Sequence, residues 1–258
     1  MRIIFFFVVF IIALYSCSGA TNQSTRFAGI PATDTTCLKE LEEAKSAIEK
    51  GKLMYCHVAG GFFYKPLRSA HEMDSLLKKF GISYNEEILS DVVYGDQTDG
   101  CYCGFMKEEI DTRFGSTFID SLLNVADSLY VLNNLHSTFK YTDCDIKPVY
   151  PNDHHTHVDD YSEVFQNDVE KRIKYPAGYI KSTGCDSSAF VDINLYVDKS
   201  GNAVITGFWF LFDRKANHKY EKYFEKAITE AMRKTGWTPA IVRGRMVNAN
   251  VSMRLYFK

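Results

Sequence analysis

Apolar residues recur at helical spacing three times in the first half of the chain. Leu38, Leu41, Ala44 and Ile48 fall on one helix face, and Gly51 is a fitting stop. Met73, Leu76, Leu77 and Phe80 repeat the spacing of three, four and seven. Ser69 with Glu72 reads as a capping box before them, and Gly81 as the glycine after the last turn. Phe118, Ile119, Leu122, Leu123, Ala126, Leu129 and Tyr130 form a third stripe. Between the second and third helices stand Val92, Val93 and Tyr94, then a loop over 95–104. Phe62 to Tyr64 reads as a short buried strand. This pattern predicts a helix-rich domain over 37–150.

The second half changes period. Residues 151–160 are polar and follow Pro148, and Pro151 opens them, so regular structure is disfavoured there. A domain over 161–258 follows. Val164, Phe165, Val169 and Ile173 mark a helix that ends near Tyr175 and Pro176. Ala189, Val191, Ile193, Leu195 and Val197 then alternate with Phe190, Asp192, Asn194 and Tyr196, the period of a strand with one buried face. Asp198 to Asn202 is a turn, and 203–212 returns as the second strand of a hairpin. Tyr220, Tyr223, Phe224, Ala227, Ile228, Ala231 and Met232 give a long helix over 217–235. Val251, Met253, Leu255 and Phe257 alternate as a last strand. The expected class is α+β: an antiparallel sheet, made of a hairpin and the terminal strand, covered by a long helix and preceded by the helix-rich domain.

The amino terminus adds an address. Arg2 precedes the apolar run 3–14, which is short for a membrane span and suits a signal peptide over 1–16. Leu14, Tyr15, Ser16 and Cys17 resemble a bacterial lipobox. Cys17 is therefore the expected lipidation site, at the head of a flexible Ser/Thr-rich tether over 17–36. An ordinary cleaved signal and an uncleaved anchor are the alternatives. A formal net charge of -2, without a basic block, gives no reason to expect nucleic acid as a partner.

Export changes how the cysteines read. Cys37, Cys56, Cys101, Cys103, Cys144 and Cys185 are candidates for disulfides in an oxidising compartment, with pairing undetermined. Cys101 and Cys103 also admit a thiol redox reading, although no helix start obviously follows to activate them. Cys56 beside His57 lacks an accompanying oxyanion pattern. His154, His155 and His157, among Asp153, Asp159 and Asp160, fit a solvated linker better than a closed metal site. No catalytic residue, metal or cofactor is expected.

Several features of the carboxy-terminal part occur in a telling order. Tyr175 and Pro176 follow a helix. Next comes the hairpin turn through Val197, Asp198, Lys199, Ser200 and Gly201. A helix then ends in Gly236, Trp237, Thr238, Pro239 and Ala240, with Gly244 five residues after Pro239. In this the segment resembles the TonB C-terminal domain family. The resemblance implies a module that grips an extended peptide of an outer-membrane transporter, or another envelope protein, by strand addition. It makes the last strand the binding edge: Asn250, Val251, Ser252, Met253, Arg254, Leu255 and Tyr256. The anchor, the short tether and only six prolines depart from that family's motor-linked, proline-rich span. The expectation is an exported, membrane-anchored interaction module of the Gram-negative envelope, facing the periplasm. A thiol redox protein and a homodimerising structural protein are the alternatives.

Overall fold

The computed structural model describes residues 29–60, 65–89, 95, 97–153, 162–181, 189–233 and 236–257. The expected signal peptide, Cys17, the histidines of the expected linker, Cys185 and the expected strand at Phe62 to Tyr64 lie outside them, as do Val92, Val93 and Tyr94. The protein mixes helices with parallel and antiparallel strands. No described helix is long and apolar enough to cross a membrane.

The chain divides into two compact units. One comprises residues 1–67 and 74–121, the other residues 68–73 and 122–258. This differs from the boundary expected near Tyr150, because the segment after Leu122 packs with the terminal domain.

In the first unit, α1 (Thr35–Glu49) starts inside the expected tether, where the Asp34 carboxylate accepts from the Cys37 N–H at 3.1 Å. Cys37, Leu41 and Ala44 are its buried face. Two strands stand where the sequence pattern predicted none. These are β1 (Leu53–Gly60) and β2 (Ile82–Leu89), paired in parallel with Leu53 opposite Ile82. Neither alternates, and β2 carries Asn85, Glu86 and Glu87, so period alone hides them. The expected loop at 95–104 is also corrected. Its last part is the first turn of α3 (Cys101–Phe114), which buries Cys101, Cys103, Met106 and Ile110.

The second unit is built on a five-stranded mixed sheet. Its strands are β3 (Thr138–Lys140), β4 (Phe190–Val197), β5 (Ala203–Leu211), β6 (Ala240–Val242) and β7 (Arg245–Tyr256). The order is β3-β7-β4-β5, and β6 also pairs with β7. β3 runs parallel to β7, and the other pairings are antiparallel. Helices α5 (Glu163–Arg172) and α6 (Glu221–Ala231) supply Phe165, Val169, Phe224 and Ile228 to the core. Val191, Ile193, Leu195 and Val197 of β4 meet them there, with Met253 and Leu255 of β7. The helix expected over 217–235 is shorter: a 3-10 turn, Lys215–Tyr220, precedes α6.

Two turns show why glycine is needed. Gly201 has φ +82°, and a Cβ there would meet the Trp237 carbonyl oxygen at 2.1 Å. The Trp237 N–H in turn donates to the Gly201 carbonyl at 2.9 Å. Between β6 and β7, Arg243 and Gly244 both have positive φ, 49° and 70°. That is the two-residue turn whose twist matches an antiparallel hairpin.

The remaining helices are α2 (Ala70–Leu77) and α4 (Phe118–Asn133). At α2, the expected capping box does not form. The buried Ser69 hydroxyl has no hydrogen-bond partner among the described residues, and Glu72 instead accepts from Asn133 at 3.2 Å.

Candidate functional site

The terminal strand is not a simple edge. Asn250 lies between Lys140 of β3 and Tyr196 of β4, so both of its sides are paired. This corrects the expected edge at its first residue. Beyond Asn250, β4 pairs with one side of β7, and no described strand pairs with the other. There the Gln166 amide acts like a short piece of strand. It accepts from the Tyr256 N–H and donates to the Tyr256 carbonyl, both at 2.9 Å. Val251, Ser252, Met253 and Arg254 form the short open stretch between β3 and that amide. Val251, Met253 and Leu255 point into the core, while Ser252, Arg254 and Tyr256 lie on the outer face.

The long open edge is β5. It pairs with β4 on one side, and no described strand pairs with its other side. Its sequence from Ala203 to Leu211 carries no charge and no proline, the usual devices that blunt an exposed edge. Val204 and Trp209 are 57% and 54% exposed. The bulge near Asn194 and Leu195 shifts the pairing register.

The outer face of this sheet carries an aromatic patch. The Phe190 ring lies 5.6 Å from Trp209 and 6.0 Å from Tyr256. The Arg254 guanidinium sits 3.7 Å above the Phe190 ring centroid and pairs with Asp192 at 2.7 and 2.9 Å. That carboxylate holds the guanidinium more firmly protonated. The ion pair commits Arg254, named in the expected binding edge, to a neighbour in its own sheet.

The remaining residues singled out from the sequence are structural in their contacts. The Tyr175 ring packs 5.9 Å from Phe224, and Pro176 supplies a turn carbonyl to the Tyr179 N–H. Trp237 is buried against Tyr150, edge to face at 5.4 Å. Pro239 leads into β6, and Gly244 makes the following turn.

No family model, curated protein or solved structure matches the chain.

The cysteines resolve into two pairings that spacing did not suggest. Cys37 joins Cys101, and Cys56 joins Cys103. Cys101 and Cys103 are therefore not partners of each other, which removes the pair on which the alternative redox reading rested. Adjacent positions in one helix turn project differently, so each sulfur meets a different element. Cys144 has no disulfide partner among the described residues, and its thiol donates to the Lys140 carbonyl at 3.3 Å. Burial and the neighbouring Asp143 push it up to about 11, so it is a poor nucleophile. The Glu87 carboxyl touches the Cys103 sulfur. Sequence reasoning missed Glu87, because it stands in an acidic run without periodicity. Cys56, Cys103 and Glu87 bring their ligand-type atoms within 4.8 Å, but a disulfide offers no thiolate to a metal.

An open cleft of about 560 Å³ in the second unit is lined by Tyr150, Asp168 and Arg172 among others. Tyr150 donates to Asp168 at 2.5 Å, and Arg172 pairs with the same carboxylate at 2.9 Å, so these three groups are committed to one another.

Proposed function

We propose that the protein is an exported, membrane-anchored interaction module, TonB-like in its carboxy-terminal part, that takes an extended segment of an envelope protein onto its sheet. The observation that carries this reading is β5: nine residues, uncharged, apolar and unpaired on one side among the described residues. A strand of this kind offers a row of N–H and C=O groups as a template for another chain. Pairing supplies affinity that is blind to sequence, and Trp209 and Leu211 beside Phe190 supply apolar selectivity. The short stretch at Ser252 and Arg254 is a second, smaller edge, and it keeps the terminal-strand reading open as an alternative docking line.

The membrane part of the proposal rests on Cys17 and the apolar run before it. An outer-membrane transporter segment is the partner class that the TonB-like features favour. Self-pairing of β5 into a homodimer is the competing use of the same edge.

Photo-crosslinking in intact cells tests the reading. A crosslinker replaces Val204, Trp209 or Ser252 in the full chain, and adducts are identified at peptide level. Adducts from Val204 and Trp209 to an extended segment of one envelope protein support the β5 edge. Adducts from Ser252 alone move the site to β7. Adducts to β5 of a second copy make it a dimer. Absence of adducts at all three positions overturns the strand-addition reading.

A further inference from the structure

We propose that Cys56–Cys103 is an exchangeable disulfide that reacts with external thiols, with Glu87 as proton donor to Cys103, while Cys37–Cys101 is a structural cross-link. The two bonds differ in access. Cys37 and Cys101 are 1% and 4% exposed, so an incoming thiolate reaches neither sulfur. Cys103 is also buried, at 7%, whereas Cys56 on β1 is only half-buried and is the most exposed of the four bonded cysteines.

The surroundings of Cys103 suit a leaving group. It is the third residue of α3, in the first turn, where unsatisfied N–H groups and the helix dipole favour a thiolate. Cys101 shares that turn, so the dipole alone does not distinguish the bonds. The Glu87 carboxyl does. The carboxyl lies against the Cys103 sulfur, and because a disulfide sulfur has no hydrogen to give, only a protonated carboxyl can hydrogen-bond there. Burial, with Glu40 of α1 and Asp99 just before α3 close by, pushes the Glu87 carboxyl above its usual range. Glu40 also accepts from the Tyr102 N–H at 3.0 Å, which uses one of the helix-terminal donors.

The exchange balances as follows. A thiolate R–S⁻ attacks Cys56 Sγ, the Cys56–Cys103 bond breaks, and the electron pair leaves on Cys103 Sγ. Glu87 gives that sulfur its proton, and solvent reprotonates Glu87. A second thiol displaces Cys56 from the mixed disulfide. Two thiols have become R–S–S–R, and the protein disulfide has become a dithiol. Run in reverse, a partner's disulfide oxidises the dithiol.

Differential alkylation of the full chain tests this. Native protein is exposed to glutathione at several pH values, quenched with an alkylating reagent and read at peptide level. Cys56 and Cys103 are expected to become labelled about tenfold faster than Cys37 and Cys101, or more. With oxidised glutathione, C103S should form a mixed disulfide at Cys56 and release one reduced glutathione, whereas C56S should form none at Cys103. E87Q should slow reduction by about a hundredfold and remove the fall in rate per thiolate as pH rises through the Glu87 titration. E87D should restore part of both. The wild-type labelling order does not depend on any variant folding. Reduction of both bonds together, only in denaturant, overturns the proposal, as does earlier reduction of Cys37–Cys101 or capture on Cys103. An unchanged rate and pH profile in E87Q overturns the role of Glu87.

Discussion

Around β1 and β2, two disulfides tie Cys37 to Cys101 and Cys56 to Cys103. Around β4 and β7, the described residues contain no disulfide and rely instead on Phe165, Phe224, Ile228 and Phe257, all nearly or fully buried. A two-stranded sheet buries little by itself and is marginal in water. Cross-links offset this by restricting the unfolded chain. Among its described residues, the five-stranded sheet relies on an aromatic core instead. The contrast shows that one chain can use two remedies for conformational entropy, and that a reducing environment acts on only one of them.

The largest expected effect lies in the apolar unit. Phe224 is fully buried, with Phe257 4.6 Å and Tyr179 5.5 Å from its ring. Phe224→Ala should cost about 4 kcal/mol. Both tryptophans, Trp209 and Trp237, belong to this unit, so their fluorescence in a denaturant titration reports it selectively. A loss below about 1 kcal/mol would mean that the aromatic core is not what holds this unit together.

Next comes the cross-linked unit. Cys37–Cys101 closes a sequence separation of 64 residues. The double change to serine should cost about 3 kcal/mol and raise hydrogen exchange in α1 and β1. The tryptophan signal should change less than the exchange does. An equal loss in both readouts would make the two units one cooperative body.

A smaller effect is expected at an ion cluster of the second unit. Asp127 accepts from Arg68 at 2.6 and 2.9 Å and from Arg243 at 2.5 Å. Burial opposes its ionisation, but the hydrogen bonds from Arg68 and Arg243 outweigh it and hold the carboxyl below its usual range. The folded state thus favours the charged form. This stabilisation is complete above the ordinary carboxylate range and is lost as pH falls through the lowered folded value. Asp127→Asn should cost about 1–2 kcal/mol at neutral pH, discounted because both arginines are partly exposed. It should flatten the acid limb of a stability-versus-pH curve read by tryptophan fluorescence. An unaltered acid limb would remove Asp127 from the pH response.

The two turn glycines close the series. Gly201→Ala should cost about 2 kcal/mol, from positive φ and the clash with the Trp237 carbonyl. Gly244→Ala should cost about 1 kcal/mol, because φ is +70° but open space surrounds it. Thermal unfolding of the pair checks the order, and a reversal would show that the Gly201 turn yields more readily than its contacts imply.

Much of the second unit was legible along the chain. Alternation marked β4 and the later half of β7, and the Asp198 to Gly201 turn between β4 and β5 stood out by residue type. Asp198 does what that type suggests, accepting from the Ser200 and Asn202 N–H groups at 2.8 and 2.9 Å. The first unit was legible only in α1 and α2. Its strands do not alternate, and α3 hides its buried face in two cysteines with Gly104 after them.

Periodicities of two and 3.6 residues, glycine at forced turns and the apolar run at 3–14 are local properties, and the sequence by itself determined them. It also set the cysteine count and the uncharged run that became β5. Only the tertiary structure decided which strand lies at the edge, because pairing between residues as distant as Lys140 and Asn250 leaves no trace in either segment. It decided the disulfide partners for the same reason. Six cysteines admit about 15 pairings, and only the packing of α1, β1 and α3 brings Cys37 to Cys101 and Cys56 to Cys103, with Glu87 against the second bond.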